Sequence, residues 1–209
     1  MRMFLAGSLL LAAVMGACAA SEQVVVLSPA GDVADDLVAR VQAVMEENLG
    51  VVVRVGPAVA FEPGASLEAI GRAAAEQRAE DAFAVLVLAR PDSEQPQGVC
   101  LPHESFGILN LNRLADDDPN GKFERRIGQD AQRIMAMLVD MPPCPFPLCL
   151  LVGYEKTDDL DHMSGNFCPP CQDRFRRLAG EAGLRMAPAV EAAEAAAEAV
   201  EAVEPADAN

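Results

Sequence analysis

The chain has 209 residues, enough for one domain of ordinary size with a real core. Apolar residues are 51% and charged residues 23%, a globular balance that excludes a chain disordered throughout. With 16 basic residues against 32 acidic ones, no Trp and a single Tyr, the composition argues against a phosphate-tracking or base-stacking nucleic-acid binder. After residue 20 no apolar run reaches the roughly 18 residues needed to cross a bilayer.

Residues 1–18 read as an export signal. Arg2 supplies the positive start, residues 3–14 a short apolar stretch, and Gly16, Ala17, Ala19 and Ala20 a small-residue region. Met15-Gly16-Ala17-Cys18 resembles a bacterial lipobox, in which Cys18 becomes the lipidated N-terminus. The expected location is therefore the cell envelope, with a membrane anchor of acyl chains. Cleavage after Ala19 or Ala20, giving a periplasmic or secreted protein, is the alternative. The domain is expected over residues 19–186.

Val24-Val25-Val26-Leu27 predicts a buried strand, stopped by Ser28-Pro29. Asp32 is placed to cap a helix to about Asn48, with Val33, Leu37, Val41, Val44 and Met45 at helical spacing, and Gly50 ends it. A β-branched strand follows over 51–55. Ser66 caps a second helix over 67–80, with Leu67, Ile70 and Ala74 inward. Residues 84–88 give a third strand closed by Pro91, and 99–101 and 106–111 two more. This order predicts an α/β fold with a mixed β-sheet and covering helices. In the long helix over 122–141, Phe123, Ile127, Ala131, Ile134, Leu138 and Met141 form one apolar stripe ended by Pro142-Pro143. Residues 187–209 carry six acids and no base among Ala and Val, which predicts a frayed, partly helical acidic tail: a solvated low-complexity end, or an interaction tail.

Six cysteines occur, and the last four carry the strongest signal. Cys144 and Cys149 form C-x4-C; after 18 residues, Cys168 and Cys171 form C-x2-C at the start of a helix over 172–179. Two close pairs separated by a loop converge as a closed tetrahedral zinc site of structural type. Disulfides 144–149 and 168–171 are the rival reading for an exported chain. A thioredoxin-like dithiol at Cys168-Pro169-Pro170-Cys171 is a third, weakened by how little of the domain follows the motif. Cys100 reads as a buried strand thiol.

With these motifs in place, residues 81–180 resemble the archaemetzincins, a family of zinc metallopeptidases. The strand and turn Ile108-Leu109-Asn110-Leu111-Asn112-Arg113-Leu114, the two cysteine pairs and Asp161 carry the resemblance. It implies a metzincin-like sheet, an active-site helix over 122–141 and a structural zinc held by the four cysteines. The catalytic motif H-E-x-x-H-x-x-G-x-x-H is absent. Counting back from Cys144, its three histidines fall at Arg133, Met137 and Pro143, its glutamate at Ile134 and its glycine at Asp140; the Met-turn methionine falls at Leu151. Guanidinium offers zinc no lone pair, and isoleucine cannot accept a proton. The resemblance thus supports the scaffold and its zinc and argues against peptidase activity.

Three weaker motifs remain. His103-Glu104 begins an H-E-x-x-H but meets Gly107, and reads as an exposed pair at a strand end. Asp158-Asp159-Leu160-Asp161-His162 reads as an acidic loop, or as acid/base or metal-binding groups. Asp116-x-Asp118-x-Asn120-Gly121 resembles the start of a calcium loop but has Ile127 where a bidentate Glu belongs, so a polar turn is expected. The function expected is a catalytically inactive scaffold that binds a peptide or a protein partner. An enzyme using His103, His162 or the Asp158–Asp161 cluster, and a redox protein using Cys168 and Cys171, are the alternatives.

Overall fold

The computed structural model describes residues 22–91, 94–114 and 121–187. Cys18 and the leader, the Asp116–Asn120 motif and the acidic tail beyond Ala187 lie outside the described residues.

Five strands form one sheet: β1 (Val24–Ala30), β2 (Val53–Val55), β3 (Ala82–Ala89), β4 (Gly98–Leu101) and β5 (Phe106–Asn110). Their order is β2-β1-β3-β5-β4. All pairs are parallel except β4 with β5, where Val99 faces Ile108. The connections β1 to β2 and β2 to β3 carry helices α1 (Asp35–Leu49) and α2 (Leu67–Glu76), as parallel crossovers require. A one-turn helix, α3 (Leu111–Leu114), follows β5. The long helix α4 (Lys122–Leu138) and α5 (Pro169–Glu181) complete the fold.

Strand residues alternate between two apolar faces. Val25, Leu27, Leu86, Leu88 and Leu109 pack with α1, α4, α5 and the cysteine-bearing segment. Val24, Val26, Val85, Val87, Phe106 and Ile108 pack against Leu67, Ile70 and Ala74 of α2. Both faces are covered, which explains why the parallel strands read as continuous apolar runs. A side chain at Gly107 would run into Ile134, so this glycine lets α4 lie directly on β5.

Several element ends differ from the sequence expectation. β1 continues through Ser28-Pro29 to Ala30. The Pro29 carbonyl accepts from Val59 N–H at 2.8 Å, and its missing N–H lies on that same side, past the last residue of β2. α1 begins at Asp35 rather than after Asp32; its N-cap Ala34 makes no side-chain cap, while Gly50 ends it in the left-handed region at φ 66°. Ser66 does cap α2, accepting from Ala69 N–H at 3.2 Å, but the helix stops at Glu76. α4 stops at Leu138, ahead of the prolines. Asp140 N–H returns to Met137 O at 3.0 Å and Met141 N–H to Ala136 O at 2.9 Å, around a left-handed Asp140 at φ 58°. That is a Schellman ending with aspartate at the position that favours glycine.

The two ends of the described chain meet. Gln23 and Leu184 form an isolated parallel bridge: Gln23 N–H donates to Gly183 O at 2.8 Å and Arg185 N–H to Gln23 O at 2.7 Å. Val51 pairs with Met186 in the same region.

Candidate metal centre and the cleft beside it

The segment after α4 has little regular structure, and its four cysteines gather in one place. Cys144 follows the prolines; Cys149 sits in a turn closed by its N–H to Phe146 O at 3.0 Å. Cys168 is the N-cap of α5, and Pro169 at the first helical position brings Cys171 one turn on. The four Sγ atoms lie within 4.8 Å of one another, with Cys144 and Cys168 at 3.9 Å. Zinc–sulfur bonds of about 2.3 Å in a tetrahedron place sulfurs about 3.8 Å apart, so the donor set fits. Cys168 N–H and Leu151 N–H both point at the Cys149 sulfur, at 3.4 and 3.5 Å. Such donors favour thiolate. Cys149, Cys168 and Cys171 are buried and Cys144 is half-buried. The N–H of Cys171 lowers the Cys168 thiol below its ordinary range, while burial raises Cys149 and Cys171.

Residues 150–166, which join the two cysteine pairs, are held by side chains of α4. Arg125 donates to Asp161 O at 3.0 Å and Met163 O at 2.9 Å. Arg126, buried, grips Asp161 through two bonds of 2.8 and 2.7 Å and reaches Asp158 at 3.0 Å. Gln129 donates to Leu160 O at 3.1 Å and Ser164 O at 3.2 Å, and Gln132 to Gly165 O at 3.3 Å. Arg133 donates to Leu150 O and, at 2.8 Å, to Val152 O. These donors satisfy carbonyls that no strand partner takes. The hydrogen bonds from Arg126 hold the Asp161 carboxyl below its ordinary range.

Beside this loop α4 and the sheet edge enclose a cleft of about 370 Å³, with Val99, Cys100 and Leu109 on one wall and Ile134 and Met137 on the other. Met137 is half-exposed there, and Ile134 is buried against Gly107. One end is polar. Asp130, 4% exposed, accepts from Gln97 Nε2 at 2.6 Å and from the Tyr154 hydroxyl at 3.0 and 3.2 Å. The Arg133 guanidinium stacks on the Tyr154 ring, 4.7 Å from its centroid, with its Nε 3.8 Å from Asp130. Thr157 closes the network by donating to Gln97 Oε1 at 3.0 Å. Burial pushes the Asp130 carboxyl above its ordinary range and, as the largest cause, pushes the Tyr154 hydroxyl up as well.

The counted positions are thus distributed between cleft and loop. Arg133, Ile134 and Met137 line the cleft, Leu151 is buried in the cysteine-bearing loop, Asp140 ends α4, and Pro143 lies on the far side beside Cys144. Neither of the chain's two histidines lies among the residues that line the cleft. His103 is exposed in a turn after β4, and its neighbour Glu104 is clamped by Arg72 at 2.7 and 3.2 Å. His162 is exposed at the end of the Asp158–Asp161 turn, whose Asp161 belongs to Arg126. Cys100 is half-buried rather than buried, its sulfur 3.9 Å from Ile134 O, and burial pushes its thiol up to about 12. Sequence reading missed Asp130, Tyr154 and Gln97; the signal was the run of polar residues at 129, 130, 132 and 133 beside an apolar stripe, with the single Tyr in the following loop.

No family model matches this sequence, and no curated protein matches it. Solved structures do. The archaemetzincin of Methanopyrus kandleri superposes with a TM-score of 0.63 at 18% identity, over 76% of this chain and 96% of that one. The fold is archaemetzincin-like. A zinc-dependent peptidase from Methanocorpusculum labreanum gives 0.60 at 16% identity, over 72% of this chain and 99% of its own. The archaemetzincin of Archaeoglobus fulgidus, solved with malonate, gives 0.57 at 14%, over 72% and 99%. The archaemetzincin-like scaffold and a cysteine cluster that suits zinc are therefore both present, and the cleft is where this chain's own chemistry must be read.

Proposed function

We propose that this is an exported, lipid-anchored, archaemetzincin-like protein that binds an extended peptide or protein segment without cleaving it. Cys144, Cys149, Cys168 and Cys171 hold one structural zinc, which closes the segment after α4. The observation that carries the reading is the occupancy of the cleft by Arg133, Ile134 and Met137, with no imidazole among its lining residues. A hydrolytic zinc needs neutral nitrogen ligands and a carboxylate to take a proton from water. The one carboxylate there, Asp130, already accepts hydrogen bonds from Gln97 and Tyr154. Binding is supported by β4, an edge strand beside the apolar wall of Val99, Leu109 and Met137, where an added strand gains main-chain bonds. Cys18 is the anchor in this reading, and the partner is a protein or peptide at the cell envelope.

Metal content by mass spectrometry, with thiols counted in parallel, is the first test. About one zinc per chain is expected, with no hydrolysis of a peptide library and saturable peptide binding that Met137→Lys weakens about tenfold or more. Chelator-sensitive hydrolysis, or about two zinc ions per chain, overturns the inactive reading. Cys18→Ser should move the protein from the membrane to the soluble fraction; no movement overturns the anchor.

A further inference from the structure

We propose that a pocket between the end of α2 and the β1–β2 edge of the sheet binds a small hydroxy acid, by its carboxylate at Arg78 and its hydroxyl at Ser28. The pocket encloses about 250 Å³, which suits a molecule smaller than most drug-like ligands. It lies on the sheet face that packs α2, whereas α4 and the cleft walls Ile134 and Leu109 belong to the other face. Val26 of β1, Val85 of β3, Ala74 of α2 and Val59 give it a buried apolar floor. Val55, half-exposed on the edge strand β2, stands at its rim.

One hydroxyl interrupts that floor. Ser28 of β1 is 3% exposed and lines the pocket, and its side chain makes no hydrogen bond among the described residues. A buried hydroxyl left unpaired costs stability, so its partner must enter through the pocket. Gly56 lies over it: a Cβ there would stand 2.5 Å from Ser28 Oγ and 2.5 Å from Val26 Cγ1, so glycine is what fits above the hydroxyl.

The mouth supplies the charge. Arg54 and Arg78 both line it. Arg54 is spent on Asp81, through bonds of 2.7 and 2.8 Å. Arg78 is exposed just past α2 and makes no ion pair among the described residues; its acidic neighbours in sequence, Glu76 and Glu80, do not line the pocket. Ala74 O and Ala75 O accept from Gln77 N–H and Arg78 N–H at 3.2 and 3.3 Å, so the negative end of α2 is not left bare there. One uncommitted guanidinium matches one carboxylate, whereas a phosphate dianion brings more charge than this mouth answers. The carbons between carboxylate and hydroxyl lie on Val26, Val59 and Val85.

Titration calorimetry on the full chain tests this with 4-hydroxybutanoate and 5-hydroxypentanoate, each against butanoate and pentanoate. At least one hydroxy acid is expected to bind about fivefold tighter than its parent acid. Ser28→Ala should erase that preference and leave the parent acid's affinity unchanged. Arg78→Gln should weaken both acids about tenfold. Met137→Lys, in the cleft on the other face, should change nothing, which separates this site from the peptide-binding reading. No binding of any of the four acids up to about 10 mM overturns the proposal, as do equal affinities for each hydroxy acid and its parent, or affinities untouched by Arg78→Gln. A lower unfolding temperature for ligand-free Ser28→Ala also overturns it, since the hydroxyl would then have a structural partner.

Discussion

The cysteine cluster and the cleft lie on either side of the same loop, and they are built on opposite principles. Around Cys144, Cys149, Cys168 and Cys171 the backbone turns N–H groups toward the Cys149 sulfur, and four soft donors converge on one another. In the cleft every polar group is already engaged: Asp130 with Gln97 and Tyr154, and Arg133 with two carbonyls and an aromatic face. A site made to hold something foreign keeps donors in reserve. A site made to hold the fold together uses them internally. The first pattern suits a metal, and the second suits a latch with an apolar floor.

That contrast can be broken at either end. The largest effect is expected from Cys149→Ser or Cys168→Ser. Either should remove the metal and cost on the order of 5 kcal/mol or more, because metal binding is coupled to folding. Cys100→Ser is the control, costing about 1 kcal/mol or less; thermal unfolding with metal analysis separates the two. Arg126→Met comes next. It leaves the Asp161 carboxylate with the Lys122 ammonium at 3.5 Å in place of two short guanidinium bonds, and should cost about 2 kcal/mol at neutral pH by chemical denaturation. Arg126 holds Asp161 below its ordinary 3.8, so this contribution is complete above that value and is lost as pH falls through the lowered one. The gap between the two proteins should therefore narrow in acid.

Within the cleft, Tyr154→Phe removes a donor from a buried carboxylate and should cost about 1–2 kcal/mol near neutrality. Asp130 moves the opposite way from Asp161: burial raises it above 3.8, so the folded state holds its proton more tightly. Its contribution is greatest below 3.8 and is lost as pH rises through the raised value. Tyr154→Phe should make that loss larger, which a stability-versus-pH series reads directly. The smallest effect is a gain. Asp140→Gly relieves a left-handed aspartate and should stabilise the helix ending by about 1 kcal/mol.

What the sequence made legible follows the range of the interactions. The stripe on α4, the Ser66 cap and the Gly50 stop are local, and each appears where spacing put it. The cysteine pairs were legible because their spacing is itself the chemistry of a tetrahedral site. Pro29 misled because a proline breaks a strand only where a neighbour needs its N–H, and β2 has ended by then. Pro142 and Pro143 misled because Asp140 had already turned the chain. Gln97, Asp130 and Tyr154 were hidden for a different reason. They are separated by 33 and 24 positions, and nothing in a pattern of neighbours announces that they will share one carboxylate.

The bridge between Gln23 and Leu184 has a mechanical consequence. The two strands run parallel, and their outward continuations leave in opposite directions, one toward lower and one toward higher residue numbers. Tension drawn between the two ends pulls along the strands, so the bonds from Gln23 to Gly183 and from Arg185 to Gln23 are sheared together and not peeled one by one. The same C-terminal segment also holds the chain leading into β2, through Val52 N–H to Arg185 O and Ala187 N–H to Gly50 O, both at 2.9 Å, so a load passed from one end to the other is shared between this clasp and the sheet edge.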